Sequence, residues 1–165
     1  METARKEDFA SVREENLTLR IVKVEPPAIP ESWDILKHAL DTSIRPEQRT
    51  DASAARVRRG LENGALLAFL LLGTGSTNAL LGALILQPSI DFLSGVKNVH
   101  ILGLHTSAGL TVQQYREAFT WLKQVARDLT CTTITAVTAR PELIQIVKSL
   151  GGDTSTTMIQ FNLGD

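Results

Sequence analysis

The chain has little of what most catalytic signatures are made from. It holds one cysteine, Cys131, in 165 residues, so no internal disulfide framework can form and nothing speaks for secretion. A lone thiol beside an apolar strand is expected to be buried and inert rather than a nucleophile. CxxC, HExxH and clustered His/Cys sets are all missing, which argues against a metal site. No sign of charge is in excess. Seventeen Lys and Arg stand against 18 Asp and Glu, a net charge of −1, so no bulk attraction to nucleic acid or anionic membrane is expected. The longest apolar region, 65–87, is cut by Gly73-Thr74-Gly75-Ser76-Thr77-Asn78 into pieces far short of the roughly 20 residues a membrane span needs. The N-terminus carries acids and no apolar stretch, so no signal peptide is read there. Tyrosine occurs once, at Tyr115.

What remains is a chain with a core. Its hydrophobic fraction is 43%, and its length suits one domain over residues 17–165. Residues 1–16 carry Glu2, Arg5, Lys6, Glu7, Asp8, Arg13, Glu14 and Glu15, an arm of both signs. It reads as solvated, or as a docking arm that orders on a partner.

Leu17, Leu19 and Ile21 alternate with polar residues and predict a strand. Val22 and Val24 fall on the other parity, so that strand bulges or is covered on both faces near its end. Pro26, Pro27 and Pro30 stop it. A helix follows over 31–40, with Trp33, Ile35, Leu36 and Leu40 apolar, then a loop over 43–49. A second helix spans 51–62 and closes on Asn63-Gly64. Residues 65–72 and 79–87 are continuously apolar and predict a hairpin covered on both faces. Pro88 to Lys97 reads as a longer connection, and 99–104 as the next strand. Thr111 and Gln114 form a capping box. Behind it Tyr115, Ala118, Phe119, Leu122, Val125, Ala126 and Leu129 repeat at helical spacing. Thr132 to Val137 is a β-branched strand. Pro141 opens a last helix with Leu143, Ile144, Val147 and Leu150 as its buried stripe, ended by Gly151-Gly152. Thr154 to Leu163 reads as a final strand. The order β-α-α-β-β-β-α-β-α-β suits a mixed, mostly antiparallel α/β sheet flanked by helices.

That order, with the strand Val99-His100-Ile101-Leu102-Gly103-Leu104, the helix through Trp121-Leu122 and Ala126, Cys131, Ile134, Arg140-Pro141 and Leu150-Gly151, resembles the GNAT superfamily of N-acetyltransferases. It looks especially like the divergent members that tailed phages encode. By element order the resemblance spans most of the chain; residue by residue it is confined to the last third. It implies that acetyl-CoA or CoA would lie in a notch between the strands 99–104 and 132–137. The ligand's pyrophosphate would meet backbone N–H groups at the start of the next helix, where free amides and the helix dipole suit an anion. The residues so implicated are Gly103, Leu104, Thr106, Ser107, Ala108, Gly109, Leu110 and Thr111. Gly103, isolated in a strand, suggests a bulge that aims an amide at a thioester carbonyl, or a close approach of neighbouring backbone.

The chain departs from the family pattern at this loop. The family's [RQ]xxGx[GA] has an opening Arg or Gln and two glycines. Here only Gly109 is supplied, and the nearest cation in sequence is Arg116. The helix after the fifth strand has no tyrosine, and Tyr115 falls on an apolar face. His105 ends the central strand and is the candidate base; His100, at opposite parity, is expected on the other sheet face. Glu142 is an acid in a first helical turn, where the dipole alone favours one. Arg45, Arg49, Arg56, Arg58 and Arg59 form a cationic concentration, but Glu47, Asp51 and Glu62 dilute it. The leading expectation is therefore an acetyltransferase-like protein that has lost catalysis and acts as a structural or interaction protein, such as an internal or ejected virion component. It would use residues 1–16 and the Arg45–Arg59 region for a protein partner or self-assembly, in host cytoplasm or virion. The alternative is an active N-acetyltransferase carrying acetyl from acetyl-CoA to an amine. A nucleic-acid-associated module on the arginine group is the weaker third.

Overall fold

Alternating Leu19 and Ile21 lay down the first strand, β1 (Thr18–Val24). The computed structural model describes residues 18–75, 79–106, 110–138 and 140–155. The arm at 1–16, the loop residues 107–109 and residues 156–163 of the predicted last strand lie outside them. After a 3-10 turn at Pro26–Ala28 come α1 (Ile29–Ser43) and α2 (Asp51–Glu62), with a second 3-10 turn between them. Then follow β2 (Leu67–Thr74), β3 (Ala79–Ile90), β4 (Lys97–Thr106), α3 (Val112–Asp128), β5 (Thr133–Ala136) and α4 (Pro141–Ser149).

The strands form one sheet in the order β1-β2-β3-β4-β5. All neighbours are antiparallel except β4 and β5, which run parallel. This is a mixed α/β fold with a mostly antiparallel open sheet. Two cores sandwich it. One joins Ile29, Leu36 and Leu40 of α1 and Leu61 of α2 to Val24, Ala68, Ala83 and Ile85. The other joins Leu122 and Ala126 of α3 to Phe69, Leu71, Leu84, Leu86 and Val99. Alternate residues of β2 and β3 serve opposite cores, so the continuous apolar runs read from the sequence are indeed covered on both faces. The end of β1 behaves likewise: Val24 enters the first core, and its pairing with β2 runs from Thr18 to Val24 without a register shift. Double covering, not a bulge, explains the parity change there.

Two expectations need correction. Residues 88–97 are a tight hairpin rather than a long connection. β3 reaches Ile90, and the Asp91 carboxylate closes the tip by accepting from the Leu93 and Ser94 amides at 3.1 and 2.7 Å. Pro88 fits because β3 lies beyond its last β2 pair, Leu67–Leu86, and needs no donor on that side. The stripe of α4 is half-buried rather than buried, with Val147 exposed. That helix follows β5, the last strand of the described sheet, where fewer neighbours cover it.

Candidate functional site

The parallel pairing of β4 with β5 covers only Asn98–Ile101 against Thr133–Ala136. Beyond it β5 ends, while β4 continues to Thr106. The two strands therefore part after Ile101, and among the described residues no strand pairs with that edge of β4 beyond it. A register shift falls at the same level. Ile85 faces Gly103 and Leu86 faces Ile101, so Leu102 is an extra residue, a β-bulge in β4. The bulge and the close backbone approach expected at Gly103 are both present. Gly103 adjoins the bulge, and a Cβ there would stand 3.2 Å from Ala39 O and from the Leu40 backbone of α1. A side chain there would press on the α1 backbone, which would have to give by a few tenths of an ångström.

The bulge also overturns the parity expected for the histidines. Val99, Ile101 and Leu104 all pack toward the α3 core, whereas Leu102 packs toward α1 and α2. One extra residue restores the phase, so His100 and His105 share the α1/α2 face instead of opposing each other. His100 Nδ1 lies 3.0 Å from Thr135 Oγ1 and stands on the paired half, away from the opening. His105 stands on the unpaired half. Its ring meets His38 of α1 edge-on, with centroids 4.2 Å apart. Burial, then the positive charges of His38 and Arg140, hold the His105 pKa below the usual histidine value. The imidazole is thus neutral near neutral pH, the form in which it can accept a proton. Arg140 itself pairs with Glu142, Nε to Oε1 at 2.7 Å. Glu142 is an exposed carboxylate, its pKa lowered by backbone hydrogen bonding and then by Arg140.

At the start of α3 the capping box forms as read. Thr111 Oγ1 accepts from the Gln114 amide at 3.2 Å, and Gln114 Oε1 accepts from the Thr111 amide at 2.9 Å. Two of the helix's first amides are thereby occupied. Those of Val112 and Gln113 have no intrahelical partner by the geometry of a helix start. Of the other implicated residues, Leu104, Thr106 and Leu110 are half-buried, while Ser107, Ala108 and Gly109 lie outside the described residues. Tyr115 is half-buried on α3, and Cys131 is buried as expected. Two of the arginine group make local contacts. Arg49 donates to Ile44 O at 3.3 Å, and Arg58 pairs with Glu62 at 2.8 Å while lying over Trp33. Among the described residues no group of three or more His, Cys, Asp or Glu could hold a metal, and no helix is long and apolar enough to cross a membrane. One surface groove runs along α3 past Gln113, Arg116 and Gln124, and another lies beside Asn98, Thr133 and Thr135; neither takes in His105 or Leu104.

Sequence reasoning missed Ser43, His38 and the nearness of Arg140. Ser43 ends α1 and reaches β4. The Leu104 amide donates to Ser43 Oγ at 2.8 Å, and Ser43 Oγ lies 3.1 Å from Leu104 O and 2.9 Å from Ala39 O. Only the isolated Gly103 hinted that a helix would come this close.

No protein-family model matches the chain, and no curated protein does. Solved structures do match its fold. A predicted acetyltransferase with acetyl-CoA from Clostridium acetobutylicum superposes with a TM-score of 0.63 at 16% identity, covering 88% of this chain and 97% of that one. Glucosamine-6-phosphate N-acetyltransferase from Arabidopsis thaliana does so at 0.59 and 12%, covering 89% and 99%. An aminoglycoside acetyltransferase from an uncultured soil metagenomic sample gives 0.61 and 16%, covering 90% and 99%. The architecture is thus GNAT-like, and it spans nearly the whole length of these neighbours.

Proposed function

We propose that this chain is an acetyl-CoA-dependent N-acetyltransferase of the GNAT superfamily, working where β4 and β5 part, with His105 as its base. The observation that carries this reading is the coincidence of three features. The β4–β5 pairing stops at Ile101–Ala136, the bulge falls at Leu102, and a neutral imidazole stands on the unpaired stretch that follows. The residues suit the ligand. The Val112 and Gln113 amides and the α3 dipole favour a pyrophosphate, Thr106 adds a hydroxyl, and the β4 edge offers backbone donors and acceptors to a pantetheine chain. Acetyl-CoA, when bound, supplies the activated acyl group. His105 would take the proton that an attacking amine sheds; its contact with His38 fixes the ring, and the Arg140 charge helps keep it unprotonated until then. Calorimetry with acetyl-CoA and with CoA, followed by thiol-release assays over a set of amines, tests the reading. Binding in the micromolar range and a loss of about 100-fold or more in kcat/KM for His105→Ala are expected; no heat at millimolar ligand would sink it.

A second reading is favoured by one contact. Ser43 already occupies the Leu104 backbone on the edge that β5 leaves, which suits a fold kept for structure after catalysis is lost. The phage-type resemblance extends this to an interaction protein of a virion, docking through residues 1–16 or the Arg45–Arg59 region. Size analysis with and without residues 1–16 tests it; an unchanged monomer in both would count against assembly through the arm.

A further inference from the structure

Ser43 raises a question that the proposed chemistry leaves open. In an antiparallel pair, successive residues turn their N–H and C=O alternately toward the partner strand and away from it. Leu104 sits opposite Leu84 of β3. Its amide donates to Ser43 at 2.8 Å and its carbonyl lies 3.1 Å from the same hydroxyl. Both polar groups of Leu104 are therefore turned to the edge that β5 vacates after Ile101. They are the backbone groups next after the bulge, where an extended chain carrying an amide or thioester carbonyl would seat itself between the strands. The serine presents the pair of functions such a chain would present: an oxygen that accepts from the Leu104 amide and a proton that can go to the Leu104 carbonyl.

The contact is built by packing. Gly103 lets the backbone of Ala39 and Leu40 come within 3.2 Å of where its Cβ would be. One turn further on, that approach brings Ser43, the last residue of α1, over the β4 edge. The same hydroxyl lies 2.9 Å from Ala39 O, so its proton has an acceptor within its own helix while the oxygen accepts from the Leu104 amide. An exposed serine at a helix end can turn away from the Leu104 amide without disturbing the core.

We propose that Ser43 is a competitor held within the fold: its hydroxyl oxygen occupies the Leu104 amide and must leave it before an acyl-CoA carbonyl can take that edge. This rests on the reading of the β4–β5 opening as the acyl-CoA site. It makes Ser43 a residue that sets affinity, distinct from His105. The full-length chain is titrated calorimetrically with acetyl-CoA as wild type, Ser43→Ala and Ser43→Thr, and hydrogen exchange at the Leu104 amide is followed without ligand. Since a lost neutral hydrogen bond shifts an equilibrium by about threefold to tenfold, Ser43→Ala should bind acetyl-CoA tighter by that factor. Ser43→Thr, which keeps the hydroxyl, should stay near wild type. The Leu104 amide should exchange faster in Ser43→Ala than in the other two. Equal or weaker binding by Ser43→Ala overturns the competition while leaving the acyl-CoA site in place. Unchanged exchange at Leu104 overturns the contact itself. If neither wild type nor Ser43→Ala binds acetyl-CoA, the acyl-CoA reading fails and the competition fails with it.

Discussion

His105 is where chemistry and packing meet most directly. Its ring is half-buried beside His38, and three influences push its pKa the same way: burial first, then the charges of His38 and Arg140. A base used at neutral pH gains from this, because a protonated imidazole cannot accept. The cause can be separated by substitution. Replacing His38 with Ala removes one positive neighbour and opens the ring to water, and both changes favour the charged form. The His105 imidazole, followed by NMR from pH 4.5 to 8.5, should titrate below the ordinary histidine value of about 6.5 in wild type. In His38→Ala its midpoint should move up toward that value. No movement, or movement downward, would mean that the edge-on pair is not what sets the imidazole's state. Ser43 and Gly103 illustrate the complementary case, in which residues without ionisable groups control whether the backbone beside His105 is available.

At the scale of elements, the start of α3 gives a direct test of how much local sequence decides. The Thr111–Gln114 box satisfies two amides that would otherwise lack partners. Thr111→Ala should cost about 1 kcal/mol in denaturant-induced unfolding and speed amide exchange through the first turn of α3; full retention of stability would argue that packing alone starts this helix. That cap was legible because capping is a matter of residue type at fixed spacing. So were β2 and β3, whose unbroken apolar runs announce two covered faces, and α2, which closes at Gly64 with φ +77°. The candidate site was only partly legible. His105 and Gly103 could be singled out from a strand-end position and an isolated glycine. The bulge at Leu102 could not be placed to the residue, and it reverses the parity on which the His100 assignment depended. The hairpin at Asp91–Val96 was hidden by Pro88, which reads as a strand breaker unless the neighbouring strand is known to have ended. Ser43 and His38 come from an element more than sixty residues away in the chain, and no local pattern records which helix will lie on which strand.

For the whole molecule, one sheet shared by two cores means that what happens on its α1/α2 face bears on global stability. His100 and His105 both lie on that face, and burial lowers both pKa values in the folded state. The sign follows from proton counting. Below about pH 6.5 the unfolded chain takes up protons at these imidazoles that the folded protein resists, so folding becomes less favourable as pH falls. Stability should therefore be fully present above pH 7, decline as the pH drops through 6.5, and level off once it is below both folded-state values. Both rings keep contact with water, which screens the effect to under about 1 kcal/mol each. Asp91, Glu142 and Asp153 are also held below their ordinary values, but as carboxylates they lose their contribution only in a more acidic window. The two windows can thus be told apart. Urea unfolding at closely spaced pH values from 5 to 8 should show the decline in wild type. It should be reduced in His100→Asn and again in the double variant with His105→Asn, whose uncharged side chains remove the proton linkage. A decline that survives in the double variant would assign the pH dependence to groups other than these two histidines, and would remove the link drawn between the neutral imidazole at the strand opening and the packing of α1 against β4.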